Sequence, residues 1–165
     1  MIDRGLTHIA LPVRDLEASI AFYVKYAGMH VVHHRASKER GSRVAWISDR
    51  TRPFVVVLIE MPTVDTVLSP IAHLGVGCAN RAEIDRLAEE ARREGCLHSG
   101  PTDSGHPVGY WAFLRDPDGH TLEVAFGQEV ALVVGDPASA DAAGAENCPA
   151  PAPPSSVDRT LTPEA

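Results

Sequence analysis

The run YWAFLRDPDGHTLEVAFG, Tyr110–Gly127, decides the fold. Two strand-like runs, Tyr110–Arg115 and Thr121–Phe126, flank Asp116-Pro117-Asp118-Gly119. That tetrapeptide has turn chemistry: proline presets φ, aspartate bonds nearby backbone, and glycine admits positive φ. In the second run Leu122, Val124 and Phe126 share one face and Thr121, Glu123 and Ala125 the other, because strand side chains alternate. Glu123 is therefore a carboxylate set in an apolar strand. Such a group is costly to bury unless something positive meets it.

Working outward, one order of elements occurs twice. LTHIALPV, Leu6–Val13, alternates as a strand, with Thr7, Ile9, Leu11 and Val13 on one face and His8, Ala10 and Pro12 on the other. Asp15 is placed as an N-cap, Leu16, Ile20, Tyr23 and Ala27 follow helical spacing, and Gly28 reads as the stop. Three apolar runs follow: Met29–His33, Val44–Ile47 and Phe54–Met61. The polar segment Arg35–Arg43 reads as a mobile loop and Pro62–Pro70 as a connector. The order then returns. A strand at Ile71–Gly77 puts His73, Gly75 and Gly77 on one face, and a helix at Arg81–Glu94 stops at Gly95. Strands follow at Cys96–His98, Tyr110–Arg115 and Thr121–Phe126.

The bulk properties narrow the function classes. A hydrophobic fraction of 44% in 165 residues suits one soluble domain. The net charge of −7 is uneven: from Gln128 to Ala165 six acidic residues oppose one basic, leaving about −2 for residues 1–127. Neither part offers the basic surface of a nucleic-acid or polybasic membrane binder. No apolar run reaches the roughly 18 residues of a spanning helix. Met1-Ile2-Asp3-Arg4 lacks the apolar core of a signal peptide. Cys78, Cys96 and Cys148 form no Cys-x-x-Cys pair, which argues for a reducing cytoplasm and against a disulfide framework or zinc–cysteine site. Of the 38 residues from Gln128 onward 15 are Ala or Pro, so residues 128–165 are expected to form a disordered acidic tail. Only Val130–Val134 within it has the composition to pack.

The two histidines hold equivalent places. His8 lies on the first strand of unit one and His73 on that of unit two, 65 residues later. Glu60 lies near the end of the last strand of unit one, 63 residues before Glu123. Large apolar residues pack on the helices, so the imidazoles line the other, concave side of the sheet. A single strand histidine is ordinarily a hydrogen-bonded core or surface residue. His8, His73 and Glu123 together, at matching parity, make a donor set for a divalent metal with positions open for water or substrate. Glu60 is the candidate fourth ligand, its facing dependent on register. His30, His33 and His34 point to both faces of one run and read as surface residues. His106 and Ser104 lie in a Gly/Pro-rich loop suited to cover the metal mouth, with His106 a candidate proton shuttle. His120 falls in the turn, where solvation is expected. No nucleophile motif or phosphate-binding glycine loop occurs.

HIALPVRDLEASIAFYVKYAGM, AHLGVGC and FLRDPDGHTLEV together resemble the vicinal oxygen chelate superfamily. That superfamily includes glyoxalase I, extradiol ring-cleaving dioxygenases, fosfomycin-modifying enzymes and bleomycin-resistance proteins. The likeness covers about residues 5–127. It implies an α+β fold: paired βαβββ modules, about 5–62 and 71–127, forming a curled mixed sheet around a metal cup, with helices on the outer face. By it His8, His73 and Glu123 take the three shared ligand positions. The hairpin and first helix look most like glyoxalase I, whose first unit adds a Glu ligand; Glu60 stands nearest that place and is also a candidate general base. Extradiol dioxygenases carry a Tyr where Phe113 stands, and Tyr110, three residues away, is the candidate replacement. Fosfomycin-modifying thiol transferases carry a Thr where Ala10 stands. Bleomycin-resistance proteins usually lack the metal triad, which this chain retains.

The function so implied is that of a metal-dependent enzyme, a glyoxalase-type lyase or isomerase or an extradiol-type dioxygenase. It would chelate a small substrate through two vicinal oxygens on a divalent ion. Nickel, zinc or manganese suits the first chemistry and iron(II) the second. The alternative is a protein of the bleomycin-resistance type that sequesters a drug or metabolite without turnover. The resemblance also implies a homodimer.

Overall fold

Each half of the chain folds into a strand, a helix and three further strands. The computed structural model describes residues 5–36, 43–69 and 71–128. Module one holds β1 (His8–Val13), α1 (Leu16–Ala27), β2 (His30–Ala36), β3 (Arg43–Ser48) and β4 (Val55–Glu60). Module two holds β5 (Leu74–Gly77), α2 (Arg81–Glu94), β6 (Leu97–Asp103), β7 (Tyr110–Arg115) and β8 (Thr121–Phe126). They form two four-stranded sheets, β1-β4-β3-β2 and β5-β8-β7-β6. In each sheet the first strand pairs parallel with the last, and the other pairs are antiparallel. The fold is α+β with two βαβββ modules, each a mixed four-stranded sheet with its helix, as expected.

The helices start where short polar side chains satisfy their first N–H groups. Asp15 Oδ1 accepts from Ala18 N at 3.0 Å, and Asn80 Oδ1 from Glu83 N at 2.9 Å. Both end in a left-handed glycine, Gly28 and Gly95. Their inner stripes, including Leu16, Tyr23, Ile84 and Leu87, join Leu11, Leu58, Leu114 and Leu122 from the sheets in one core. Burial of each large apolar side chain contributes about 1.5–3 kcal/mol. On the opposite sheet faces His8, Ala10, Gly75 and Gly77 are exposed.

Polar contacts lock module one to module two beside this core. Tyr23 Oη donates to Asp116 Oδ2 at 3.1 Å, and Tyr26 Oη to Glu94 Oε2 at 2.6 Å. Burial, reinforced by these carboxylates, pushes both phenols above the ordinary tyrosine range, so they stay protonated donors. Arg14 Nε pairs with Asp118 Oδ1 at 2.6 Å. The turn itself is built as its sequence requires: Asp116 Oδ1 accepts from Asp118 N at 2.9 Å and His120 N at 2.8 Å, while Gly119 takes φ +96°.

His120 departs from expectation. It is 1% exposed, not solvated. Its Nδ1 accepts from Leu68 N at 3.1 Å, so Nε2 carries the proton and donates to Pro12 O at 2.9 Å. The connector and the end of β1 fold over the turn, which no local pattern announces. β2 and β6 also run longer than their apolar cores, and β6 extends to Asp103 through register shifts. Part of the expected loop at 35–43 and all of the expected tail beyond Gln128, with Val130–Val134 and Cys148, lie outside the described residues. Among the described residues Cys78 and Cys96 are free thiols, and no helix is long and apolar enough to cross a membrane.

Candidate metal centre

Register turns the sequence pattern into geometry. Gly75 of β5 pairs with Glu123 of β8, and Phe113 of β7 lies across from Glu123 on its other side. Alternation then places His73, Glu123, Phe113 and Trp111 on the face turned away from α2. His73 Nε2 lies 2.8 Å from Glu123 Oε2. The imidazole packs on Phe113 at 5.1 Å between centroids, and Trp111 packs beside Phe113 at 4.6 Å. Trp111 Nε1 donates to Ser104 Oγ at 2.9 Å, which ties the 104–109 loop to this face. Glu123 is 6% exposed, yet Gly75 and Gly77 leave open space next to it, where an added Cβ would meet nothing within 4 Å.

The proton inventory of this pair is informative. His73 Nδ1 lies 2.8 Å from Ile71 O. A carbonyl only accepts, so Nδ1 bears a proton. In the neutral ring Nε2 is then a bare lone pair aimed at a carboxylate oxygen. Two acceptors at that distance need a cation between them: a second proton or a metal ion. A backbone carbonyl on the far ring nitrogen is the usual support of a metal-ligating histidine. Glu123 Oε1 accepts from Gln128 Nε2 at 2.8 Å, which fixes the carboxylate. Imidazole nitrogen and carboxylate oxygen fit a divalent transition ion.

Gln128 escaped the sequence pattern because it falls in the stretch assigned to the tail. The signal was Gly127, whose φ of +83° turns the chain out of β8 so that a residue of the wrong strand parity reaches Glu123.

His8 stands on the equivalent face of module one, exposed, with Nδ1 3.0 Å from Thr7 Oγ1. It shares a cup of about 690 Å³ with Ala10, Trp46, Val57 and Ile59. Among the described residues one chain assembles no group of three or more His, Cys, Asp or Glu side chains able to hold a metal ion. The structure brings His73 and Glu123 together and leaves His8 in its own module.

Glu60 is not on the cup face. Ala10 pairs with Val57 as Gly75 pairs with Glu123, so the counterpart of Glu123 in module one is Val57. Glu60, three residues on, has the parity of the buried Val56 and Leu58. Arg43 grips it through Nε at 2.9 Å and Nη2 at 2.6 Å, and Arg43 Nη1 reaches Glu17 of α1 at 2.9 Å. The Arg43 hydrogen bonds hold the Glu60 carboxyl below its ordinary value. Tyr110 likewise faces α2: its hydroxyl donates to Asp85 at 2.6 Å, under the Arg81 guanidinium at 4.9 Å from the ring. The bond to Asp85 raises the phenol above its ordinary value. Neither candidate acid–base group adjoins the His73–Glu123 pair.

Comparison with known proteins agrees with this architecture. The family model of the Glyoxalase/Bleomycin resistance protein/Dioxygenase superfamily matches residues 5–124. An uncharacterized protein of Pseudomonas aeruginosa is 39% identical over 126 residues, spanning 74% of this chain and 89% of that protein. The lactoylglutathione lyase of Escherichia coli O157:H7 is 30% identical over 126 residues, spanning 72% of this chain and 90% of that enzyme. The trypanothione-dependent glyoxalase I of Leishmania major shares the fold, with a TM-score of 0.62 and 21% identity over 86% of this chain and 99% of that one.

Proposed function

Since the chain belongs to the glyoxalase/bleomycin resistance protein/dioxygenase superfamily, we propose that it is a metal-dependent enzyme that binds a small substrate through two vicinal oxygens. His73 and Glu123 of one chain would hold the ion together with His8 from a second copy, because a single chain unites only the first two. Superfamily members bind small molecules and usually form dimers. The observation that carries the reading is the His73 tautomer: Nδ1–H is spent on Ile71 O while Nε2 meets a carboxylate at 2.8 Å. A divalent ion, or a second proton on the imidazole, satisfies that arrangement.

When bound, a divalent ion supplies Lewis acidity toward the substrate oxygens. The chain's residues do the rest. Ile71 O and Gln128 orient the donors, Phe113 and Trp111 exclude water from one side, and Gly75 and Gly77 leave the approach clear. Three donors leave more positions open than four, since Val57 stands where a second carboxylate would enter. Glyoxalase-type isomerisation with nickel, zinc or manganese and extradiol-type oxygenation with iron(II) both fit three donors.

Elemental analysis of the full chain, as isolated and after metal loading, tests the reading. About one divalent ion per chain is expected, lost in His73→Ala. Turnover of methylglyoxal–glutathione hemithioacetal or of catechol then separates the two chemistries. A wild type that takes up no divalent ion under any loading overturns the proposal. Sequestration without turnover is the second reading, favoured by the placement of Glu60 and Tyr110 on the helix-side faces of their sheets. Metal uptake with tight ligand binding and no reaction would establish it.

A further inference from the structure

The cup of module one has a charge pattern that the metal reading does not use. Its floor is apolar, with Trp46, Val57 and Ile59 beside His8. Its rim carries Arg35, Arg50 and Arg52, and among the described residues no carboxylate lines it. That is against the trend of a chain with 22 acidic and 15 basic residues. Among the described residues no ion pair engages any of the three guanidinium groups, whereas Arg14, Arg43, Arg81, Arg86 and Arg92 are all paired. Asp49, the nearest acid in sequence to Arg50 and Arg52, spends one oxygen on Thr51 N and Oγ1 at 2.9 and 2.8 Å.

The turn bearing two of these arginines is also held in shape. Ser48 Oγ donates to Phe54 O at 2.9 Å and accepts from Arg50 N at 3.0 Å. Arg50 is the one non-glycine residue at positive φ among the described residues, at +61°. A side chain pays for that conformation, and glycine would not. Retaining arginine there gives the rim a guanidinium whose backbone is fixed before any ligand arrives.

We infer that the module-one cup selects an anionic substrate with an apolar or aromatic body, its acid group bound by Arg50 and Arg52 of the β3–β4 turn and its body lying on Trp46, Val57 and Ile59. A guanidinium offers a planar, two-pronged donor to carboxylate, sulfonate or phosphonate. Beside a hydrocarbon floor such a pair is screened less than in open water. His8 pairs with Val55 at the end of the cup where the β3–β4 turn lies, so the acid group sits on the His8 side and the body runs along β4 toward Ile59. The inference deepens the functional reading above and rests on it for calling this cup the substrate site.

The test is a calorimetric titration of the full chain in EDTA and low salt with 2-naphthoate and, separately, neutral 2-naphthylmethanol. The carboxylate is expected to bind at least tenfold more tightly than the alcohol, and the preference to shrink in 0.5 M salt. Arg50→Gln/Arg52→Gln should erase the preference while leaving the alcohol within twofold. Lys25→Gln, which removes one positive charge outside the cup, should leave both affinities unchanged. Equal binding of the two probes, no binding of either, a preference that survives the double substitution, or one that Lys25→Gln lowers equally overturns the inference. Because metal is absent throughout, such a failure discards the arginine rim and leaves metal uptake, measured on its own, to judge the metal centre.

Discussion

Module one and module two set equivalent residues in the same register and give them different company. His8 and His73 each precede by two residues the position that pairs with β4 or β8, Ala10 with Val57 and Gly75 with Glu123. Across the next strand Trp46 faces Val57 as Phe113 faces Glu123. Yet His73 is fixed on both nitrogens, whereas His8 meets Thr7 alone among the described hydrogen bonds. The β7–β8 turn buries Asp116 and His120, while the β3–β4 turn, also bonded internally, is exposed from Arg50 to Pro53. Backbone pairing therefore reproduces the frame twice, and side chains divide the labour. Module two fixes an imidazole against a carboxylate; module one offers an imidazole, an apolar floor and positive charge.

The turns give the largest test of this contrast. His120→Ala leaves Leu68 N–H and Pro12 C=O, both partly buried, without their partner, each such loss costing about 1–3 kcal/mol. Urea unfolding should show a loss of about 2–4 kcal/mol. Arg50→Gly in the exposed turn should stay within about 1 kcal/mol of wild type, or gain slightly, because glycine accepts positive φ freely. Equal losses at the two turns would break the comparison. Next in size is the donor contrast. His73→Ala should weaken Mn(II) binding about 100-fold, near 2.8 kcal/mol, read from the free-ion electron paramagnetic resonance signal. Gln128→Ala, which only releases the Glu123 carboxylate, should cost about tenfold. If His73→Ala binds Mn(II) as wild type does, module two is not where the cation sits.

What could be read from sequence follows the range of each interaction. Tyr110–Arg115, Thr121–Phe126 and Arg81–Glu94 have the observed boundaries because alternation, turn residues and caps act within a few positions. The facing of His8 and Glu123 was legible for the same reason: each shares a short strand with apolar residues that must meet a helix, whereas His73, expected inside a strand at 71–77, stands just before β5 (Leu74–Gly77). Glu60 was not, because its facing depends on how β4 aligns with β1, and spacings of 63 and 65 look alike until the ladder is known. His120 and Gln128 were missed for a different reason. Their partners, Leu68, Pro12 and a re-aimed Glu123, are set by how the chain folds over a turn or leaves a strand.

Register also supplies a substitution that adds function where sequence spacing pointed elsewhere. Val57→Glu puts a carboxylate at the module-one counterpart of Glu123, on the face shared with His8 and Ala10. A fourth donor there should tighten Mn(II) binding about tenfold, or roughly 1.4 kcal/mol. Ile59→Glu, one pleat further along the same face, should gain less. An unchanged affinity in Val57→Glu would show that equivalence of register does not extend to equivalence at the ion.

The smallest effect tests Glu60 in its observed place. Arg43 depresses its carboxyl, so the folded value lies below the ordinary 4.5. A group depressed on folding adds stability that is complete above its unfolded value and disappears as pH falls through the folded one. Wild type should therefore exceed Arg43→Met in urea midpoint at pH 6.5, and the gap should close as the pH is lowered below about 4.5. The pair is partly exposed, Arg43 40% and Glu60 25% by side chain, so solvent and salt keep the gap small. Were Glu60 turned to the cup instead, Arg43→Met would leave this pH dependence untouched and Glu60→Gln would alter Mn(II) affinity. With Glu60 bound to Arg43 on the α1 side, the substitution at 60 should leave Mn(II) binding unchanged while removing the same acid-sensitive increment of stability.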